Sequence, residues 1–441
     1  MNKTLLICDN RDTLNWGCRA TSIALGQLLQ QRSLLQTTNR AVAAKEHPVF
    51  GFGQYATGKH IANKLAAKAL KSSYFNVANR WSGGHADYIA NNPAVSVKRF
   101  LKAAVKDRFL AEIKSKFEES DKVVINGEGS LIFRSPPRRD LNFQMFAIEL
   151  ADTLGKEVYF VNAMASECPK TPVNKEVQHF VISTLSKCTA VANRDPLSAQ
   201  LLSGLGLNNV KWYPDALFTW VDRYSDFLNN ARITNYPQLF DVWPESNQYF
   251  KNWSLWPEEY VCISGASRPP GVNPKDWAAF FSQLAVRMEK EVGLPIVFID
   301  PSGDGFLQNI AIQTNSFFIR PSLQLLLGAG ILAKAKVYIS GRFHPSILAS
   351  LSGTPCIFFG SNSHKTLSLQ QVLEYPEQNV FDFSVEKENM DSLIEAIKDN
   401  VDNSETYRAR IRNTVAKRSR EAKAGLLNCI FGEQSIPNNE K

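Results

Sequence analysis

The chain has 441 residues, too many for one ordinary hydrophobic core and suited to two domains. Its 44% hydrophobic and 21% charged content is that of a globular protein, and no run of ~18 apolar residues offers a membrane-spanning helix. The net charge of +8 favours anionic partners, but the basic residues are spread and no nucleic-acid module is visible, which leaves a small anionic substrate or an anionic membrane surface.

The segment from Met1 to Asp9 has too short an apolar run for a signal peptide. Seven cysteines, odd in number and widely spaced without a C-x-x-C pair, argue against a disulfide framework or a structural zinc site. A reducing cytoplasm is the expected compartment.

In chain order, residues 5–8 read as a buried parallel strand and 18–31 as a helix. Residues 35–95 look irregular, with a helix expected at 61–70. A charged helix is predicted over 97–119, a strand over 122–126, a helix over 143–154, a strand over 157–161, a helix over 174–186 and a strand over 190–192. Residues 226–258, rich in Asn, Pro, Trp and Tyr, read as a connection between domains. The alternation then restarts: strands at 260–264, 295–300, 336–340 and 355–359, and helices at 277–292, 323–335 and 345–352. The expected fold class is therefore α/β, with two Rossmann-like, doubly wound domains facing across a cleft, at 1–225 and 259–400. A helix at 405–430 is expected to pack back on the first domain. It carries Arg408, Arg410, Arg412, Lys417, Arg418, Arg420 and Lys423, which read either as a solvated face or as peripheral contact with the inner face of the cell membrane.

Ligands of open α/β sheets bind beyond the carboxyl ends of the strands, so the turns there carry the chemistry. The segment Ser340-Gly341-Arg342-Phe343-His344-Pro345 follows a buried strand and opens a helix, with Pro345 suited to its first residue. A helix N-terminus, a guanidinium fork and an imidazole make an anion site with a proton-transfer group. Asn126-Gly127-Glu128-Gly129-Ser130 reads as a glycine-rich turn around a candidate acid/base, Glu128. Arg194 is a second candidate anion contact, and Asp195-Pro196 reads as a helix cap. Asn15 and Gly17 shape the first strand–helix turn, where Cys18 reads as a packed thiol. Asp215 either orients a neighbour or ends a strand, and the loop from Asp300 to Gly305 suits sugar hydroxyls. Lys365 is placed to close over an anion, whereas His364 reads as a surface residue. A second cluster, Arg134, Arg138 and Arg139, is notable for charge alone. There is no G-x-G-x-x-G, no P-loop and no metal-ligand spacing.

In this order and spacing, the motifs resemble those of the polysaccharide pyruvyl transferase family. Asn15-Trp16-Gly17 resembles its Asn-x-Gly turn, Asn126–Ser130 its glycine-rich loop, and Arg194-Asp195-Pro196-Leu197-Ser198 its Arg-(Asp/Glu)-x-x-Ser motif. Pro214-Asp215 resembles its Pro-Asp, Ser340-Gly341-Arg342-Phe343-His344 its Ser-x-Arg-x-His signature, and Lys365 a lysine common at that place. Two positions depart from the pattern: Cys18 stands where an acidic residue is common, and Glu128 where glycine is.

The resemblance implies a fold like the GT-B glycosyltransferases. It implies transfer of pyruvate from phosphoenolpyruvate to a glycan or lipid-linked sugar, forming a ketal without cofactor or metal. Arg194, Arg342 and His344 would contact the donor, with Phe343, Ser340, Lys365, Asn15 and Gly127 completing the substrate site. His344 is the candidate acid, and Glu128 or Asp215 the base. Two other readings stay open: a GT-B-like glycosyltransferase with an activated sugar donor, and a non-catalytic glycan-binding or scaffold protein with Arg342 and His344 buried apart from any cleft.

Overall fold

The computed structural model describes residues 2–38, 89, 91–168, 171–230, 256–267, 273–303 and 305–433. The helix expected at 61–70, and most of the connection at 226–258, lie outside them.

Among the described residues, twelve strands form two all-parallel sheets. The first holds β1 (Lys3–Ile7), β2 (Leu34–Thr38), β3 (Lys122–Ile132), β4 (Glu157–Ser166), β5 (Ala190–Asn193) and β6 (Val210–Trp212), in the order β2-β1-β3-β4-β5-β6. The second holds β7 (Val261–Ala266), β8 (Ile296–Ile299), β9 (Phe317–Ile319), β10 (Val337–Gly341), β11 (Cys356–Phe359) and β12 (Val380–Phe381), in the order β12-β11-β10-β7-β8-β9. The strand order reverses between β1 and β3 in one sheet and between β7 and β10 in the other. Such switch points open a crevice at the carboxyl edge.

Local chemistry sets the helices between the strands. Asn15 caps Trp16–Leu29 by accepting from the Gly17 and Cys18 amides, and Asp195 caps Pro196–Gly204 by accepting from that of Ser198. The charged stretch predicted as one helix is two, Pro93–Ala104 and Arg108–Glu119, because Asp107 caps the second. The strand Leu34–Thr38 and the helix–strand pair Phe306–Gln313 and Phe317–Ile319 were not expected. Each is short, and a short apolar run has no clear period.

Among the described residues, the apolar side chains form three main layers and one small cluster of Ile132, Met164 and Cys168. Phe100, Phe146 and Val181 fill the outer face of the first sheet, and Phe280, Leu284 and Ile394 that of the second. The central layer is shared: Trp16, Ala24 and Leu25 of the first half pack in one cluster with Ile331, Ile347 and Leu348 of the second. Trp16 is the pin. Its indole Nε1 donates to the Pro321 carbonyl at 2.9 Å, and its ring lies where a Cβ on Gly328 would be 2.4 Å away.

The helix Ser404–Phe431 runs across both halves and packs against the turn Ala216–Thr219 and the helix Trp220–Asn230. Its basic residues divide. Arg408 donates to the carbonyls of Ala333, Ala335 and Ser352, Arg412 to Ser352, and Arg418 to Val372, so these three anchor the helix internally. Arg420 and Lys423 remain exposed. No helix among the described residues is long and apolar enough to cross a membrane.

Candidate active site

The two switch points face each other, and a cavity of about 340 Å³ lies between them. The first half contributes Asn10, Asn15, Glu128, Arg138 and Arg194, and the second Ser267, Arg342, Phe343, His344 and Lys365.

β3 brings Glu128 in. The strand continues to Ile132, through the segment expected to be a turn, with a register shift against β4 between Glu128 and Leu131. Glu128 sits there at φ +44°, and Cys8, just past β1, at φ +62°. Non-glycine residues are uncommon in that region, and such strain gathers at functional sites. The bulge turns the Glu128 carboxylate toward the cavity, where Oε1 accepts from Asn10 Nδ2 at 2.6 Å and from Asn126 Nδ2 at 3.3 Å. Gly127 does not line the cavity. It is buried where a Cβ would meet that of Ala163 at 2.6 Å, so its small size serves strand packing; Gly129 lines the cavity instead.

His344 crosses from the second half into the first. Its Nε2 lies 2.9 Å from Arg194 Nη1 and 3.1 Å from Asp215 Oδ2. Nδ1 has no hydrogen-bond partner among the described residues, and it lies 2.8 Å from where Gly17 would carry a Cβ. Asp215 is fully buried behind the ring, also accepting from Thr21 Oγ1 at 2.7 Å and the Leu217 amide at 2.9 Å. Burial alone would raise its pKa, but the His344 and Arg194 charges hold it below the ordinary carboxylate value. Asp215 therefore stands behind His344 and does not line the cavity. Arg194 is only 2% exposed, and its guanidinium lies 4.0 Å over the Phe343 ring, a desolvated cation–π contact.

Arg342 stands immediately before the helix Phe343–Ser350, which starts two residues earlier than expected, so that Pro345 is its third residue. Ser340 is fully buried. Its Oγ accepts from the Arg342 amide at 3.0 Å, so it braces the arginine and does not line the cavity. Lys365 Nζ donates to Ser267 Oγ at 2.6 Å. Desolvation, then the charges of Arg342, Arg194 and Arg138, push its pKa well below the ordinary lysine value. Arg138 was legible in the sequence only as part of a charge cluster. In the fold its Nη1 donates to the Gly129 carbonyl at 2.9 Å and it joins the other cations. Ser267 and Asn10 lie just past β7 and β1; their positions beyond strand ends were the one available signal. Cys18, expected to be packed, lines the cavity and is partly exposed.

A second histidine bridge lies beside the first. His364, expected at the surface, places Nε2 3.4 Å from Asp195 Oδ1 and 3.3 Å from Ser198 Oγ. Ser368 Oγ also donates to Asp195, at 2.6 Å, so capping explains only part of that carboxylate's role. Asp300 is occupied by its own loop, accepting from the amides of Ser302, Gly303 and Gly305.

Arg342 and His344 thus share a cavity, which removes the premise of the non-catalytic reading. The model of the polysaccharide pyruvyl transferase family matches residues 57–363 of the chain. No curated protein matches it in sequence. Among solved structures it is similar to UDP-N-acetylglucosamine 2-epimerase from Rickettsia bellii, at 12% identity and a TM-score of 0.52 over 98% of this chain and 100% of that one. It is likewise similar to UDP-GlcNAc 2-epimerase from Neisseria meningitidis bound to UDP-GlcNAc, at 12% identity and a TM-score of 0.52 over 97% and 100%. A putative UDP-N-acetylglucosamine 2-epimerase from Listeria monocytogenes follows at 11% identity and a TM-score of 0.53 over 97% and 95%. At such identities the likeness is one of fold, the GT-B arrangement of two facing Rossmann-like domains.

Proposed function

This chain belongs to the polysaccharide pyruvyl transferase family, and we propose that it moves pyruvate from phosphoenolpyruvate onto two hydroxyls of one sugar, in a cell-surface polysaccharide or its lipid-linked precursor. The observation that carries this reading is the convergence of Arg138, Arg194, Arg342 and Lys365 on the cavity that also holds His344 and Glu128. Phosphoenolpyruvate presents a carboxylate and a phosphate, and guanidinium forks in a partly enclosed site answer both.

His344 delivers a proton to the methylene carbon, which leaves C2 electrophilic. One sugar hydroxyl bonds to C2 while Glu128 takes its proton. The second hydroxyl bonds to C2 as the C2–O bond to phosphate breaks, and the electron pair leaves with phosphate. The second hydroxyl's proton returns to His344, and that on Glu128 leaves with phosphate. Asp215 is a positioning residue: with Nε2 held by Asp215 and Arg194, Nδ1 is the nitrogen that carries the transferred proton. On this reading the reaction takes place in the cytoplasm, and the exposed Arg420 and Lys423 are cations available to an anionic membrane face.

The alternative, a GT-B-like glycosyltransferase with an activated sugar donor, is favoured by one observation, the fold shared with a protein bound to UDP-GlcNAc. Ligand-induced thermal shift separates the two. Phosphoenolpyruvate at about 100 times its Kd should stabilise the protein by about 2.7 kcal/mol, and Arg342→Ala should abolish the shift. Stabilisation by UDP-GlcNAc and not by phosphoenolpyruvate would establish the alternative, and an unchanged shift in the variant would remove Arg342 from the donor site.

A further inference from the structure

A second cavity, of about 430 Å³, lies along the β11–β12 edge of the second sheet. Its lining includes Tyr375, Asn379, Phe381, Asp399, Tyr407 and Arg410. Its lining takes in Cys356, Ile357 and Phe358 of β11 and shares no residue with the active-site cavity, which is reached past the strand's end, at Asn362.

Arg410 is the unusual group. Its neighbours on the same helix, Arg408, Arg412 and Arg418, all donate to backbone carbonyls. The Arg410 guanidinium donates to no residue among those described, and its Nε is buried without an acceptor. It lies 5.5 Å from the Tyr375 ring centroid and 5.2 Å from that of Tyr407, contacts that hold the fork in place without using its N–H groups. A buried N–H without an acceptor is unfavourable, so an acceptor brought by a ligand gains from meeting it.

The remaining lining states the class of ligand. Glu377 and Asp399 carry negative charge beside the arginine, which disfavours a phosphate dianion. Asp399 already accepts from the Tyr407 hydroxyl at 2.7 Å and has further lone pairs to offer. Aromatic faces, a fork of donors, an amide and two carboxylates together fit a molecule with one apolar face and a rim of hydroxyls that both donate and accept. We propose that this cavity is a saccharide-binding subsite, holding a hexose or uronic acid unit of a glycan at a distance from the reacting sugar. This rests on the reading of the acceptor as a glycan, not on the identity of the donor.

The test uses the full chain on an array of defined mono- to hexasaccharides of neutral hexoses, N-acetylhexosamines and uronic acids, with no phosphoenolpyruvate present. Wild-type protein is expected to bind a subset. Arg410→Ala and Asn379→Ala should each weaken that binding about ten-fold or more, while Arg342→Ala retains it. Should Arg410→Ala fail to fold, Asn379→Ala carries the test. The absence of wild-type binding, retention of binding by both subsite variants, or its loss in Arg342→Ala would overturn the proposal. So would a change of oligomeric state in Arg410→Ala with saccharide binding intact, since the cavity would then be a protein contact. Failure of the donor reading shows separately, in the thermal shift.

Discussion

At the scale of single residues, two buried aspartates of the first half each face a histidine of the second, Asp215 with His344 and Asp195 with His364. If Asp215 positions His344 for proton transfer, Asp215→Asn should lower kcat by roughly 10³-fold with little change in the KM for phosphoenolpyruvate, measured by phosphate release in steady state. A rise in KM with kcat intact would assign Asp215 to binding. The pair also sets acid stability. Both carboxylates have folded-state pKa values held below the ordinary 3.8, against the opposing effect of burial, by their histidine partners and hydrogen bonds. The unfolded chain takes up these protons first as pH falls, so their stabilisation is complete above that value and is lost as pH drops through the folded pKa. Melting temperatures recorded from about pH 5 to about pH 2 should show this loss, and Asp195→Asn should flatten the acid limb. An identical limb in the variant would exclude Asp195 as a contributor. The sequence marked Arg194, Asp215, Arg342 and His344 as chemistry beyond strand ends. It placed no pair in contact, because the Arg194–His344 contact joins residues 150 apart through two sheets.

Among the elements, the C-terminal helix shows how a basic run misleads. Arg408 looks like one cation among seven, yet it is 7% exposed and bonded to three backbone carbonyls. Arg408→Ala would leave those acceptors buried and unsatisfied, and should destabilise the protein by about 3 kcal/mol, read from denaturant midpoints. A change under about 0.5 kcal/mol would mean the site refills with water. The helix itself was legible from composition; which cations turn inward depended on the carbonyls it meets. β3 misled in the other direction. Two glycines around a carboxylate read as a turn, but a glycine within a strand also marks close backbone approach, and the crowding of Gly127 by Phe160 and Ala163 is that case. Only the neighbouring strand distinguishes the two.

For the whole molecule, the shared central layer makes the two halves one packed body. Trp16, fully buried at the start of the first helix, reaches the Pro321 carbonyl and the Gly328 backbone of the other half. Trp16→Ala should cost about 3–5 kcal/mol and split the calorimetric transition into two, one for each half. A single transition at lower temperature would show that the rest of the interface suffices to couple them. The cavity's cations come from both halves, so loosening this pin should also weaken the phosphoenolpyruvate-induced shift.

The sequence by itself determined what is local. Alternating apolar runs dictated parallel strands, Asn15 and Asp195 opened helices, and polar residues after the strand ends marked much of the lining of the cavity between the sheets. The tertiary structure decided what depends on juxtaposition: that both switch points face one cavity, that Arg138 joins it, that Asp215 stands behind His344, and that Gly127 and Ser340 serve the scaffold. The physical reason is that periodicity and capping act within a few residues. The order of strands and the docking of two sheets are set by burial summed over the whole chain, and those two choices determine which charges meet.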